Sequence, residues 1–226
     1  MKTVLITGAS GNLGKACVEK FLTEGYKVLA TVSPGKSIGF DLPGVETFEA
    51  DLTNETSVEN VITKITSKYK IDAALLLVGG FAMGTIQETN GTALQKMFSL
   101  NFETAYFTAR PVFTHMMKES AGRIVMVGAR PALISSDGKA TVAYSLSKSL
   151  IFKLAELLNA EGASNNVVSH VIVPSIIDTP VNRSAMPNAN FSDWVKPEEI
   201  AETIFHLCSD KGSAVRDAVI KLYGRS

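Results

Sequence analysis

The feature that most limits what this chain can fold into is a regular alternation of short apolar runs with helical patterns. The runs are "TVLIT" (3–7), "KVLATV" (27–32), "VETFEA" (45–50), "DAALLLV" (72–78), "GRIVMVG" (122–128), "VVSHVIV" (167–173) and "DAVIKLY" (217–223). Helical spacing recurs between them, near 13–22, 55–69, 91–118, 143–161 and 197–208. Several runs are apolar at every position rather than at alternate ones, as in strands covered by helices on both faces. The alternation predicts an α/β fold: one doubly wound, mostly parallel seven-stranded sheet flanked by helices. At 226 residues, with no repeat or charged linker to start a second unit, residues 1–226 are expected to form a single domain.

Charge narrows the function classes. Lys plus Arg equals Asp plus Glu at 22 each, so no global field attracts nucleic acid or an anionic membrane. The most apolar stretch, "AALLLVGG" (73–80), is far shorter than the roughly 20 residues of a membrane helix. "MKTVLITG" reads as a strand, not a signal segment, and a cytoplasmic protein is expected. Cys17 and Cys208 lack CxxC spacing and read as packed thiols. His115, His170 and His206 show no ligand spacing, so no metal site is expected.

Ligands of such sheets bind beyond the carboxyl ends of the strands. The first strand-to-helix turn there is "TGASGNLG", with Gly8, Gly11 and Gly14. This spacing lets backbone amides, including those around Ser10, Asn12 and Leu13, approach a pyrophosphate at a positive helix end. A Rossmann-type dinucleotide site follows. At the end of the second run Val32 stands where an NAD-preferring site places an Asp or Glu, and Ser33 and Lys36 come next. With no carboxylate seen to oppose a 2′-phosphate, and a hydroxyl and an ammonium to receive it, NADP(H) is favoured over NAD(H). A merely solvated turn is the other reading of Ser33 and Lys36.

Tyr144 and Lys148 stand four apart in "VAYSLSK" (142–148), so a helix sets them on one face. A free tyrosine has a pKa near 10. A nearby ammonium is expected to lower it, letting Tyr144 exchange a proton with a substrate while Lys148 binds the nicotinamide ribose.

The glycine turn, Asp51 in "ADLT", Asn101 in "LNFETAY", the Tyr144–Lys148 pair and "PSIIDTP" follow an order that resembles the short-chain dehydrogenase/reductase family across essentially the whole chain. The resemblance implies that Asp51, beside Leu52, contacts the adenine, that Gly79 and Gly80 line the cofactor, and that Asn101 supports the site through a water. It also implies that Ile177 and Thr179, following Pro174, hold the nicotinamide carboxamide, and that relatives assemble through residues 91–118 and 144–160 into a homodimer or homotetramer.

Some positions depart from the family's commonest pattern. Ala129 occupies the place of its catalytic serine, and "LLVG" (76–79) replaces its Asn-Asn-Ala-Gly. "DAALLLVGGFAMG" (72–84), "GARPAL" (128–133) and "DTPVNRSAMPNANFSDW" (178–194) resemble the quinoid dihydropteridine reductase branch, although that branch keeps an aspartate where this chain has Val32. Residues 176–195 read as a lid over nicotinamide and substrate. Asn182 and Arg183 are candidate polar contacts there, and Phe81 and Met186 candidate apolar walls for a flat ring. Three readings stay open: a reductase of quinonoid dihydropterin, a reductase of another activated carbonyl, imine or quinone, and a non-catalytic NADP(H)-binding redox sensor.

Overall fold

In the computed structural model, which describes residues 1–40, 42–217 and 219–225, the seven runs form one sheet. The strands are β1 (Thr3–Thr7), β2 (Lys27–Val32), β3 (Val45–Glu49), β4 (Ala73–Leu76), β5 (Gly122–Val127), β6 (Val167–Pro174) and β7 (Val219–Leu222). Their order is β3-β2-β1-β4-β5-β6-β7. Every neighbouring pair is parallel, so the expected "mostly parallel" sheet is parallel throughout. The seventh run is shorter at both ends than the sequence pattern drew it, and Ala218 within it lies outside the described residues.

The chain winds outward from β1 to β3, then crosses back to β4 on the other side of β1. That reversal opens a crevice beyond the carboxyl ends of β1 and β4, where doubly wound sheets bind ligands.

Period-two alternation sends neighbouring residues to opposite faces. Leu5 of β1 joins the core under helices α2 (Glu55–Thr66), α4 (Thr104–Lys118) and α7 (Val142–Gly162). Val4 and Ile6 join the other core, under α1 (Asn12–Thr23) and α9 (Pro197–Cys208). Cys17 and Cys208 are buried free thiols in that second core, raised in pKa chiefly by burial. His115 is a packing residue: its Nε2 accepts from Ile71 N at 3.2 Å, and burial pulls its pKa down.

Residues 91–118, expected as one helix, are helical but not uniform. Helix α3 (Gly91–Phe98) passes into α4 through a π-helical turn at Ser99–Glu103. The extra residue in that turn buries Asn101, 1% exposed, and such turns recur at functional sites. The other α-helices among the described residues are short: α5 (Arg130–Leu133), α6 (Ser135–Gly138) and, in the excursion after β6, α8 (Pro180–Ala185). Among the described residues no helix is long and apolar enough to cross a membrane.

Candidate active site

The glycine turn is a fitted cradle. Gly8 sits at φ +69°, and a Cβ there would press on the backbone of Leu77 and Val78 at 3.2 Å. A Cβ at Gly14 would collide with the carbonyl of Gly8. Gly11 caps α1 without a side-chain hydrogen bond, which leaves the first-turn amides of Asn12, Leu13 and Gly14 facing the crevice. Positive helix end, open amides and absent side chains together fit a pyrophosphate.

Just after β3, Asp51 Oδ1 accepts from Thr53 N at 3.0 Å and from Thr53 Oγ1 at 2.7 Å, which holds its carboxyl below the usual range. Leu52 packs part-buried against the core beside it. Ser33 and Lys36 are exposed on a tight turn closed by Lys36 N donating to Ser33 O at 2.9 Å. The expectation that no carboxylate stands near this turn needs correction. Gly35 N donates to Glu49 Oε2 at 3.4 Å, because parallel pairing sets Glu49 beside Val32.

The loop after β4 is pinned from two sides. Leu77 N donates to Thr7 Oγ1 at 3.1 Å. Gly80 N donates to Asn101 Oδ1 at 2.8 Å, and Asn101 Nδ2 donates back to Gly80 O at 3.1 Å. The same Nδ2 reaches Ser147 Oγ at 3.0 Å, and Ser147 donates to the carbonyl of Tyr144 at 2.8 Å. Asn101 thereby locks the loop, the π turn and α7 together. Gly79 makes this possible, since a Cβ there would lie 2.7 Å from Asn101 Oδ1 and 3.2 Å from Lys148 Nζ.

Tyr144 and Lys148 share a face of α7, but burial dominates their electrostatics. It pushes the Tyr144 phenol up to about 12 and pulls the Lys148 ammonium down to about 8. The expected lowering of the tyrosine by its lysine is therefore reversed in this structure. Lys148 Nζ is committed to Val127 O at 2.8 Å, and removal from water favours both neutral forms. A phenol raised in this way keeps its proton at neutral pH and can act as a donor. Phe81 stands edge-on to Tyr144, with ring centroids 5.1 Å apart. Its loop is clasped to α7 by Gly84 N donating to Ala140 O at 2.8 Å and Val142 N donating to Gly84 O at 2.9 Å.

Ala129, 3% exposed, follows β5 and presents only a methyl group. Ser135 and Ser136 lie exposed on α6. Next to Ala129, Arg130 pairs with Asp137 at 2.9 Å and lies over the Tyr223 ring at 5.6 Å.

The excursion at 176–195 is closed at its neck: Val195 N donates to Ile176 O at 3.1 Å, and Asp178 N to Val195 O at 2.8 Å. Pro174 ends β6, and Ile177 bridges to Val195. Thr179 caps α8, its Oγ1 accepting from Asn182 N at 3.2 Å, and so keeps its own proton to donate. Side-chain donors of both candidate contacts are engaged inside the excursion. Asn182 Nδ2 donates to Ile177 O at 2.8 Å, and Arg183 grips Asp178 in a fork at 2.6 and 2.7 Å while covering Phe191. Met186 is half-buried behind them, and Trp194 is buried at the base. Glu49, Ser147 and Arg130 were not singled out in the sequence, because each gains its place through tertiary pairing rather than local spacing.

A cradle that fits a pyrophosphate, beside a part-buried tyrosine paired on one helix face with a buried lysine, on a parallel doubly wound sheet, defines a nicotinamide-dependent oxidoreductase. The chain belongs to the short chain dehydrogenase family, whose model matches residues 2–190, and is an NAD(P)-dependent oxidoreductase of that family. It is 27% identical over 241 residues to an acetoacetyl-CoA reductase of Acinetobacter sp. (strain RA3849), covering 99% of this chain and 96% of that one. It is 28% identical over 218 residues to a dihydropteridine reductase of Dictyostelium discoideum, covering 94% and 90%. In fold it is similar to ElxO with NADP bound, at a TM-score of 0.91 and 23% identity, covering 99% and 97%.

Proposed function

We propose that this protein reduces a quinonoid dihydropterin, or an imine activated in the same way, with NADP(H) favoured over NAD(H). The observation that carries the reading is Ala129. A hydroxyl at that position would hold a substrate carbonyl and support its developing oxyanion, a contribution of about 3 kcal/mol to the barrier. A methyl group gives no such help, which suits a conjugated, electron-poor ring system and handicaps an ordinary ketone. The partial likeness to a dihydropteridine reductase supports the same reading.

The reduced nicotinamide, when bound, supplies the hydride. Gly8, Ser10, Gly11, Asn12, Leu13 and Gly14 hold the pyrophosphate, and Asp51 and Leu52 border the adenine. Ser33 and Lys36 receive the 2′-phosphate. Gly79, Gly80, Pro174, Ile177 and Thr179 frame the nicotinamide. Part-buried Tyr144 keeps its proton because desolvation raises its pKa, and gives it to the substrate nitrogen as negative charge develops there. Lys148 binds the ribose hydroxyls and offsets the resulting tyrosinate. Asn101 holds α7 through Ser147 and the loop after β4 through Gly80. Phe81 and Met186 wall the flat ring, and residues 176–195 close over it as a lid, with Asn182 and Arg183 shaping that lid from within.

The likeness to an acetoacetyl-CoA reductase favours a second reading, reduction of a β-keto thioester, and Ala129 opposes it. We extend the proposal to a homodimer or homotetramer built on α4 and α7, where Tyr106, Leu146 and Leu157 are exposed at 39%, 47% and 61%.

The test is the initial rate of reduced-nicotinamide oxidation with quinonoid dihydropterin generated in the cuvette, with NADPH and NADH run side by side. The expected result is a rapid pterin-dependent rate that Tyr144→Phe lowers by about a thousandfold without weakening cofactor binding. No pterin-dependent rate from a cofactor-binding protein removes the proposal.

A further inference from the structure

We propose that Glu49 moderates the nucleotide preference of the cofactor site, supplying from the end of β3 a carboxylate that Val32 does not supply at the end of β2. The inference deepens the cofactor reading above and shares its premise that the adenosine ribose rests at the turn 33–36. β2 and β3 run parallel with Val32 opposite Glu49, and Ala50 N donates to Val32 O at 2.9 Å, so the two strand ends finish level. Paired residues of parallel neighbours share a sheet face. Phe48, one residue earlier, turns to the core under α2, so Glu49 emerges exposed on the face that carries Val32.

There it meets a turn whose shape is set by Pro34 and Gly35. Gly35 has φ +69°, the left-handed value that the second central residue of a type II turn requires. The Gly35 amide points to Glu49 Oε2 at 3.4 Å. Two effects follow. A backbone amide that a 2′-phosphate would use as a donor is already held by a carboxylate. In addition, no ion pair among the described residues neutralises Glu49, so its charge stands against an incoming phosphate of nearly two negative charges. The 2′-hydroxyl of NAD(H) meets instead an acceptor to which it can donate. Lys36 and Ser33 pull the other way, and Glu49 trims the preference they create.

Calorimetric titrations of NADP+ and NAD+, and of the fragments 2′,5′-ADP and 5′-AMP, into wild type, Glu49→Gln and Lys36→Met test this. Glutamine retains an acceptor for Gly35 and replaces the carboxylate charge with a neutral amide. The expected result for Glu49→Gln is NADP+ and 2′,5′-ADP binding tightened about fivefold, NAD+ and 5′-AMP unchanged or weaker, and a difference that shrinks in high salt. Lys36→Met is expected to weaken NADP+ alone. An unchanged NADP+-to-NAD+ affinity ratio in Glu49→Gln overturns the proposal. If Lys36→Met still shifts the ratio in that case, the cofactor reading survives and only the role of Glu49 falls. If neither variant shifts it, both fall.

Discussion

At residue 129 a methyl group, 3% exposed, follows β5, and the proposed reading makes it a limit on the choice of substrate. Ala129→Ser restores the donor in a space that must accept one oxygen. It is expected to raise turnover of a β-keto ester about tenfold or more, with pterin reduction held within about threefold. Steady-state rates on both substrates check this. Lys148 sets a second residue-scale expectation. Its ammonium, pulled down to about 8 by burial, is charged below that pH and neutral above it. Because kcat/KM reports the free enzyme, kcat/KM for reduction should fall as pH rises through about 8. Tyr144, raised to about 12, contributes no limb below that. Lys148→Arg, with its permanently charged guanidinium, should flatten the limb at a lower overall rate. The shared helix face of Tyr144 and Lys148 and the place of Ala129 after β5 were legible in the sequence, because helical spacing and distance from a strand end are local. Glu49 was not: it lies 14 residues from Gly35, and only strand register brings the two together.

Among the elements, the π turn at Ser99–Glu103 has the most bearing on function, since it buries Asn101 between the loop after β4 and α7. Ser147→Ala removes one acceptor of Asn101 Nδ2 and one bond to the Tyr144 carbonyl. The expected loss is about 1–2 kcal/mol of stability by denaturant titration and about tenfold in kcat, with cofactor affinity unchanged. A purely structural role would move stability and leave kcat and the pH profile alone. The helical pattern at 91–118 hid this turn, because a single slipped hydrogen bond leaves the apolar spacing nearly intact. Strand positions were far more legible. β1, β2 and β6 begin at the residues the apolar runs mark, since a strand buried on both faces has no polar position at which to fray. The excursion at 176–195 showed its extent in its composition but not its internal fastening. The Arg183–Asp178 fork and the neck at Val195 arise only once the chain has turned back on itself.

The whole molecule depends on a central sheet with a largely apolar interior, and His170 on β6 exposes that dependence to acid. It is fully buried, and burial pulls its pKa down to about 4. The Arg123 and Arg216 charges push it further down, and Asp217 pushes back. The unfolded chain takes up a proton near pH 6.5 and the native one does not until about 4, so stability falls as pH drops through that window. Between pH 7 and pH 4.5 the loss from this residue should be about 2 kcal/mol, read as a shift in urea midpoint that His170→Gln largely removes. The fold class and the location of the cleft were legible at this scale, because alternating strands and helices leave few topologies and the reversal between β1 and β4 fixes where ligands enter.

A Tyr–Lys site without a serine hydroxyl is proposed to work on a substrate that is already activated. The most direct measurement is the ratio of kcat/KM for quinonoid dihydropterin to that for a β-keto thioester, taken on the wild-type protein with the same reduced cofactor. A ratio of about a thousand or more in favour of the pterin is the expected result. Equal or faster turnover of the keto thioester would contradict the account and place the oxyanion support in some group other than residue 129.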